Sequence, residues 1–337
     1  MKIAANIFLS AFFLVLAFGV VNAQDTRFSQ PLNNPLVLNP AMMELKSDCR
    51  LSLTYRNQWA TINNGYTSYA LSAFYPLFFK GKSDSINKQG GKSRLDFGVN
   101  VVDDKSGGFN RINANFALSY GLKLNSENVI TAGLNIGYLQ YSFGVTSQSF
   151  DEQYQFGTYN AAMSTGENLK GTSNTVDVGV GFMWHFAPVS EKFQLFAGLS
   201  GLHVNQPNMS INYGEGRLPA RFNFEAGAKI NSNKMEFVPF AIYQVQGPFK
   251  QFEGGILSNY NFGAKGKLLT GDLYKQNDAV VVQAGYEYKL AMLEYSYDFG
   301  ISQLARTTSG LMTHELTLGI RIMDVAAKRG IVARSFF

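Results

Sequence analysis

The sequence predicts an all-β fold: a transmembrane outer-membrane β-barrel, antiparallel and up-and-down, with 14 strands. Three observations lead there. Composition is the first: aromatics make up 14% with 28 Phe and 17 Tyr, glycine reaches 33 residues, and charged residues are 16% against a typical ~25%. Second, beyond the N-terminal stretch no apolar run approaches the ~20 residues of a helical membrane span. Third, period two dominates, in runs of ten residues or more, the length a tilted strand needs to cross a bilayer. The formal charge of +5 over 337 residues is diffuse and does not point to nucleic acid.

In chain order, residues 1–23 read as a signal peptide. Lys2 precedes an apolar run from Ile3 to Val21, and Val21-Asn22-Ala23 has small or permissive residues before Gln24. The run is about long enough to anchor a chain in a membrane, but its position, the cleavage-like site and the polar residues after it favour a signal. Cys49, the single cysteine, excludes an intrachain disulfide and stands too far from Ala23 for a lipoprotein anchor. Residues 24–49 form an extended periplasmic segment or plug, since Pro31, Pro35 and Pro40 make a continuous helix unfavourable there. Residues 50–323 form the barrel and 324–337 a short tail.

Strands are expected near 50–61, 65–76, 93–103, 111–124, 127–143, 174–187, 193–204, 220–231, 235–246, 249–262, 267–275, 279–289, 291–301 and 313–323. In "INANFALSYGLKL", Ile112, Ala114, Phe116, Leu118, Tyr120, Leu122 and Leu124 alternate with Asn113, Asn115, Ala117, Ser119, Gly121 and Lys123. "TVDVGVGFMWHF", "RFNFEAGAKI", "VVQAGYEYKL" and "THELTLGIRI" alternate in the same way. A soluble sandwich alternates too, but its strands run to ~5–6 residues. Aromatics gather near strand ends (Tyr55 and Trp59, Tyr138 and Tyr141, Trp184 and Phe186), as an interfacial girdle does. Loop lengths support the strand at 267–275. Short turns at Asn125-Ser126, Val189-Ser190, Asn231-Ser232-Asn233 and Leu290 lie opposite the long loops 144–173, 205–219 and 302–312 only if that strand exists. An even count puts both termini on the periplasmic side. The long loop 77–92 departs from this pattern.

No enzyme chemistry is visible. His185, His203 and His314 belong to no metal-spaced cluster and have no serine in a nucleophile setting, so no catalytic residue, metal or cofactor is expected. "DDK" at Asp103 to Lys105 and "DEQ" at Asp151 to Gln153 read as solvated loops rather than calcium sites. "GEGR" at Gly214 to Arg217 is no phosphate loop, because no helix follows. Glu225, Lys229, Glu287, Lys289, Glu294, Asp298, Glu315 and Arg321 all stand opposite the apolar parity and are assigned to a lumen network. On the lipid face a basic side chain at mid-depth would cost roughly 2–4 kcal/mol. The network either holds the barrel shut or wet, or lines a selective passage. In "MLEYSYDFGISQL", Glu294 and Asp298 are four residues apart, about 13 Å at ~3.3 Å per residue. That is too far for a shared proton or one metal, so each is available to Lys289 or Arg321, while Tyr295 and Tyr297 face lipid or its interface.

Two motif groups go further. Near the start stand "FSQPLNNPLVLNPAMM" and "TYRNQW"; near the end stand "YSYDFGISQL" and "THELTLGIRI". This order resembles the PorP/SprF family of Bacteroidota outer-membrane proteins. The matching positions are Phe28, Ser29, Gln30, Asn34, Pro35, Asn39, Pro40 and Ala41, then Arg56, Asn57, Gln58 and Trp59, and finally Tyr295, Ser296, Tyr297, Asp298, Ser302, Leu304, His314, Glu315 and Leu318. Thr313 stands where the family usually has serine, and Phe299 where tyrosine is frequent. The resemblance implies a fourteen-stranded component of type IX secretion and gliding machinery. It would help export, or hold at the surface, a large cargo protein with a type B C-terminal sorting domain. Other type IX components and outer-membrane lipid would be further partners. The long loops are then expected to meet cargo, with Phe150, Tyr154, Phe156, Tyr213, Arg217 and Arg306 as candidates, together with Arg56, Asn57, Gln58 and Trp59. For the last four a structural reading stands beside this one: Trp59 in the girdle, Arg56 and Gln58 bonded inside the lumen. The segment 24–49 would plug the lumen or meet other secretion components. The alternative function is an outer-membrane channel for small or hydrophobic solutes, like the fatty-acid transporters that also have fourteen strands.

Overall fold

The structure, a computed structural model, describes residues 25–46, 48–61, 65–78, 93–144, 151–155, 157–164, 171–188, 192–211, 214–307 and 312–323. The signal peptide, the tail after 323 and most of the 77–92 loop lie outside the described residues.

The wall is one closed antiparallel barrel of 14 strands. These are β1 (Cys49–Gln58), β2 (Tyr66–Phe78), β3 (Arg94–Ser106), β4 (Phe109–Lys123), β5 (Asn128–Phe143), β8 (Thr172–Phe186), β9 (Phe193–Leu202), β10 (Arg221–Ser232), β11 (Met235–Gln246), β12 (Phe249–Asn261), β13 (Lys267–Lys275), β14 (Ala279–Tyr288), β15 (Ala291–Gly300) and β16 (Met312–Met323). A two-stranded hairpin, β6 (Tyr154–Gln155) and β7 (Thr158–Tyr159), stands off the barrel in the loop after β5. Consecutive wall strands pair, and β1 closes on β16, with Arg56 opposite Glu315. Closure leaves no backbone edge unpaired, which hydrocarbon surroundings require. All the expected strands are present, including β13, the one that loop parity demanded.

The alternation works as the sequence reading proposed. On β4, Phe116, Leu118, Tyr120 and Leu122 face outward and are exposed, while Ala117 and Ser119 are buried inside. On β15, Leu293, Tyr295 and Phe299 face out, and Glu294, Ser296 and Asp298 are buried in the lumen. Long loops after β1, β5, β9 and β15 lie at one end, which also carries the tight turns after β3, β11 and β13, while the long connection from β2 to β3 belongs to the other end. Short connections therefore occur at both ends, not at one alone.

The N-terminal segment corrects two expectations. It is not extended: Pro31–Asn33 and Pro40–Leu45 are 3-10 turns and Pro35–Leu38 is one helical turn. Each proline begins its turn, where its fixed φ suits the helix and its missing N–H costs nothing. Nor does the described N-terminal end lie on the side where β1 starts. Asp25 touches Arg111, His203 and Arg221 at the long-loop end, and Asp48 meets Arg321 at the opposite end. Residues 25–48 thus run the length of the lumen and then turn back into β1.

Candidate functional site

The plug is held by apolar packing in its middle and by charge at its two ends and along one wall. Leu32, Leu38, Ala41, Met42 and Leu45 bury against Met183, Phe196, Val238, Phe240, Ile242, Leu273 and Val281 of the wall. Glycines make room for this. A Cβ at Gly133 of β5 would lie 2.6 Å from the Ala41 backbone nitrogen, and one at Gly98 of β3 would lie 2.7 Å from Met43 Sδ. Asn39 caps the last turn by accepting from Ala41 N–H at 2.9 Å and donates to Glu225 Oε2 at 3.2 Å. Ser200 Oγ and Asn223 Nδ2 both donate to the Leu38 carbonyl at 2.6 Å.

The densest polar contact joins the sequence motifs. Glu315 of β16 accepts the backbone N–H groups of Ser29 and Gln30 at 2.6 and 2.9 Å. Arg56 of β1 donates to Glu315 Oε2 at 3.0 Å and reaches Asp298 Oδ2 at 3.4 Å. Ser29 Oγ donates to Asp298 at 2.7 Å and accepts from Arg56 and from Lys275 Nζ, the latter at 3.0 Å. Lys275 also donates to Asp298 at 3.0 Å. Two cations and two carboxylates, all buried, therefore neutralise one another around a single serine. Burying such charges is tolerable only because they are paired and hydrogen-bonded. Arg56, Ser29-Gln30, Asp298 and Glu315 come from the three motif regions that the sequence singled out. Lys275 was missed; no pattern in "GDLYKQND" distinguishes it from a turn lysine.

At the short-turn end Arg94 donates to the carbonyls of Met43 at 2.8 Å, Glu44 at 3.1 Å and Lys46, and pairs with Asp96 at 2.6 Å. Burial pushes the Glu44 carboxyl up to about 7, against the pull of Arg94. At the long-loop end Asp25 pairs with Arg111 (2.6 Å), His203 (2.8 Å) and Arg221 (3.0 Å), and His203 Nδ1 also meets Asp177 at 2.7 Å. Burial works against the charged forms here, but the surrounding opposite charges win. The His203 imidazole is raised to about 9, and the Asp25 carboxyl is held well below its usual range. The β9–β10 loop folds over this end, burying Met209 and Leu218 against Leu139 and Tyr141.

The expected lumen residues divide. Glu225, Lys229, Glu294, Asp298 and Glu315 are buried inside. Glu287 and Arg321 pair with each other and Arg321 with Asp48 at 2.8 Å. Lys289 does not belong: it sits exposed in the β14–β15 turn with φ 54°, its ammonium over the Tyr288 ring. Glu294 and Asp298 accordingly find other partners than Lys289 and Arg321. Glu294 accepts from Asn33 Nδ2 at 2.9 Å. Of the partner candidates, Arg56 faces the lumen and Gln58 lies beside it, accepting from Arg56. Asn57 faces outward, and Trp59, at φ 60°, stands edge-on to Tyr66 at the strand end. Tyr154 is exposed and packs on Tyr159, Arg217 is exposed beside Glu215, and Arg306 is exposed on the turn Gln303–Thr307. Phe150, Phe156 and Tyr213 lie outside the described residues.

The sequence model of type IX secretion system membrane protein PorP/SprF matches residues 20–320. No curated protein sequence matches the chain. Among solved structures, the CymD monoaromatic hydrocarbon channel superposes with a TM-score of 0.51 at 13% identity, covering 89% of this chain and 93% of its own. The Ralstonia pickettii toluene transporter TbuX gives 0.48 at 12% identity over 85% and 92%. A Pseudomonas aeruginosa FadL homologue gives 0.48 at 10% over 85% and 93%. These likenesses are of fold.

Proposed function

The chain belongs to the PorP/SprF family of type IX secretion system membrane proteins, and we propose that it recognises a large secreted protein at the cell surface through its long loops, with its lumen closed. The cargo would carry a type B C-terminal sorting domain, as the family resemblance implies. The observation that carries this reading is the plug. Residues 25–46 run through the barrel from end to end and are fixed by ion pairs of Asp25, Arg27 and Glu44 with the wall and by the Ser29 and Gln30 N–H groups on Glu315. A solute channel needs a path, whereas a docking platform needs a rigid, closed one. Long loops at the end where outer-membrane barrels face outward supply the surface. Tyr154, Tyr159, Arg217 and Arg306 present exposed aromatic and basic groups there. The likeness to the hydrocarbon channel CymD, at 13% identity, is one of fold.

Mild-detergent purification followed by mass spectrometry tests this. A single large sorting-domain protein, or other type IX components, should co-purify. Deleting the β6–β7 hairpin should lower that recovery. Steady conductance of the purified protein in planar bilayers, with no such protein attached, would move the assignment to the solute channel.

A further inference from the structure

We infer that the barrel wall at the long-loop end carries a receptor site for a carboxylate, filled in the closed form by Asp25 of the plug and open to a carboxylate of an acidic peptide entering from that end. The site is built by the wall alone. Arg111 at the start of β4, Arg221 at the start of β10 and His203 just past β9 converge on the Asp25 carboxylate at 2.6 to 3.0 Å. Their contacting counter-charge on the wall is Asp177, bonded to His203, with Asp104 near Arg111. Without Asp25, the two arginines and His203 would face one contacting acid.

Two further features point to a ligand. A small cavity of about 40 Å³ lies alongside, lined by Asp25, Arg111, Asp177, His203 and Arg221 together with asparagines. Arg221, only 4% exposed, lines it and keeps its Nε without a hydrogen-bond partner. The two arginines offer forked donors suited to carboxylate geometry. Asp25 also belongs to a segment joined covalently to the wall through β1. It is therefore a covalently attached occupant of a site that a free carboxylate could share. The cargo surface proposed above lies at the same end, but this site rests only on the barrel and plug geometry.

Two measurements on the purified full-length protein test it. First, Asp25→Asn should bind a glutamate-rich peptide at least tenfold more tightly than the unaltered protein, because the tethered competitor is gone. Adding Arg111→Gln should abolish this binding. Second, with Asp25 intact, Val37→Cys in a Cys49→Ser background should react with maleimide at least fivefold faster when the peptide is present than in chloride of equal ionic strength. This second reading does not require the Asp25 variant to fold. The same peptide with glutamine in place of glutamate should have no effect. Equal binding by all variants, or an unchanged labelling rate, overturns the site. Acetate acting as strongly as the peptide per carboxylate overturns the peptide as its ligand. Loss of cargo co-purification would leave both readouts unaffected, so the two proposals fail separately.

Discussion

Glu315→Ala tests the motif cluster most directly. The Glu315 carboxylate is the acceptor for two plug N–H groups, Ser29 at 2.6 Å and Gln30 at 2.9 Å. Hydrogen bonds to a charged partner contribute ~1.5–3 kcal/mol each, so their loss weakens plug seating by ~3–6 kcal/mol. Arg56 keeps Asp298 and Ser29 as partners, so the wall loses less than the plug does. At ~1.4 kcal/mol per decade, a central loss of ~4 kcal/mol raises the plug-out population about a thousandfold. That population sets the labelling rate of a half-buried plug residue when reseating outpaces the reaction. Maleimide labelling of Val37→Cys, in a Cys49→Ser background, reads it. Glu315→Gln keeps one acceptor oxygen and should show one to two decades instead of three. Asp272→Asn, an outward-facing control on β13, should show no change. A Glu315→Ala rate within threefold of the parent would refute the account of the cluster as the plug's anchor.

Other perturbations act on separate contacts. Gly133→Val drives a side chain into the Ala41 backbone and should expose the plug to protease, whereas Gly107→Ala, at φ +57° with open space around it, should cost about 1 kcal/mol and leave the plug seated. Arg94→Gln strips the Met43, Glu44 and Lys46 carbonyls of their shared donor and should raise protease cutting near residue 46 at least tenfold. His203 is raised to about 9 when folded, above its unfolded ~6.5. Its stabilisation is therefore complete below ~6.5 and lost as pH rises through about 9. Asp25 and Asp177 bond to it, and Arg221 and Arg111 stand close by. Val37→Cys labelling, taken relative to a fully exposed cysteine at each pH because the thiolate is the nucleophile, should accelerate between pH 7 and 10, and His203→Gln should flatten that relative rise.

The wall was legible because a barrel strand meets lipid on one side and lumen on the other, so its solvent changes at every residue. "INANFALSYGLKL" could be read without any partner. The plug was not legible in the same way. Turns of 3, 4 and 6 residues carry no helical period and owe their conformation to contacts across the barrel. Ion-pair partners were out of reach for a related reason. Asp298 finds Arg56 and Lys275 only once β1 has closed on β16 and the plug lies between them. One signal was present and unused. In "MEFVPFAIYQVQ", Val238, Phe240 and Ile242 are as apolar as the outward Phe237, Ala241 and Tyr243. A strand apolar on both faces inside a membrane barrel implies something apolar in the lumen, which here is Leu32, Leu38, Met42 and Leu45.

The two ends of the plug are held by unlike means, and the difference gives it a direction. At the short-turn end Arg94 grips backbone carbonyls, and the chain continues covalently into β1. Asp48 adds an ion pair with Arg321 at 2.8 Å there. At the long-loop end three groups of the wall grip the Asp25 side chain, and Arg111 and Arg221 also donate to Thr26 Oγ1 and to the Val37 carbonyl. Arg27 with Asp278, at 3.0 Å, is the next pair inward, and the Ser29 cluster follows. From that end the plug contacts follow one another from Asp25 past Arg27 to Ser29. The β9–β10 loop, which buries Met209 and Leu218 over this end, is continuous with both His203 and Arg221. A partner that shifts that loop shifts two of the three groups holding Asp25.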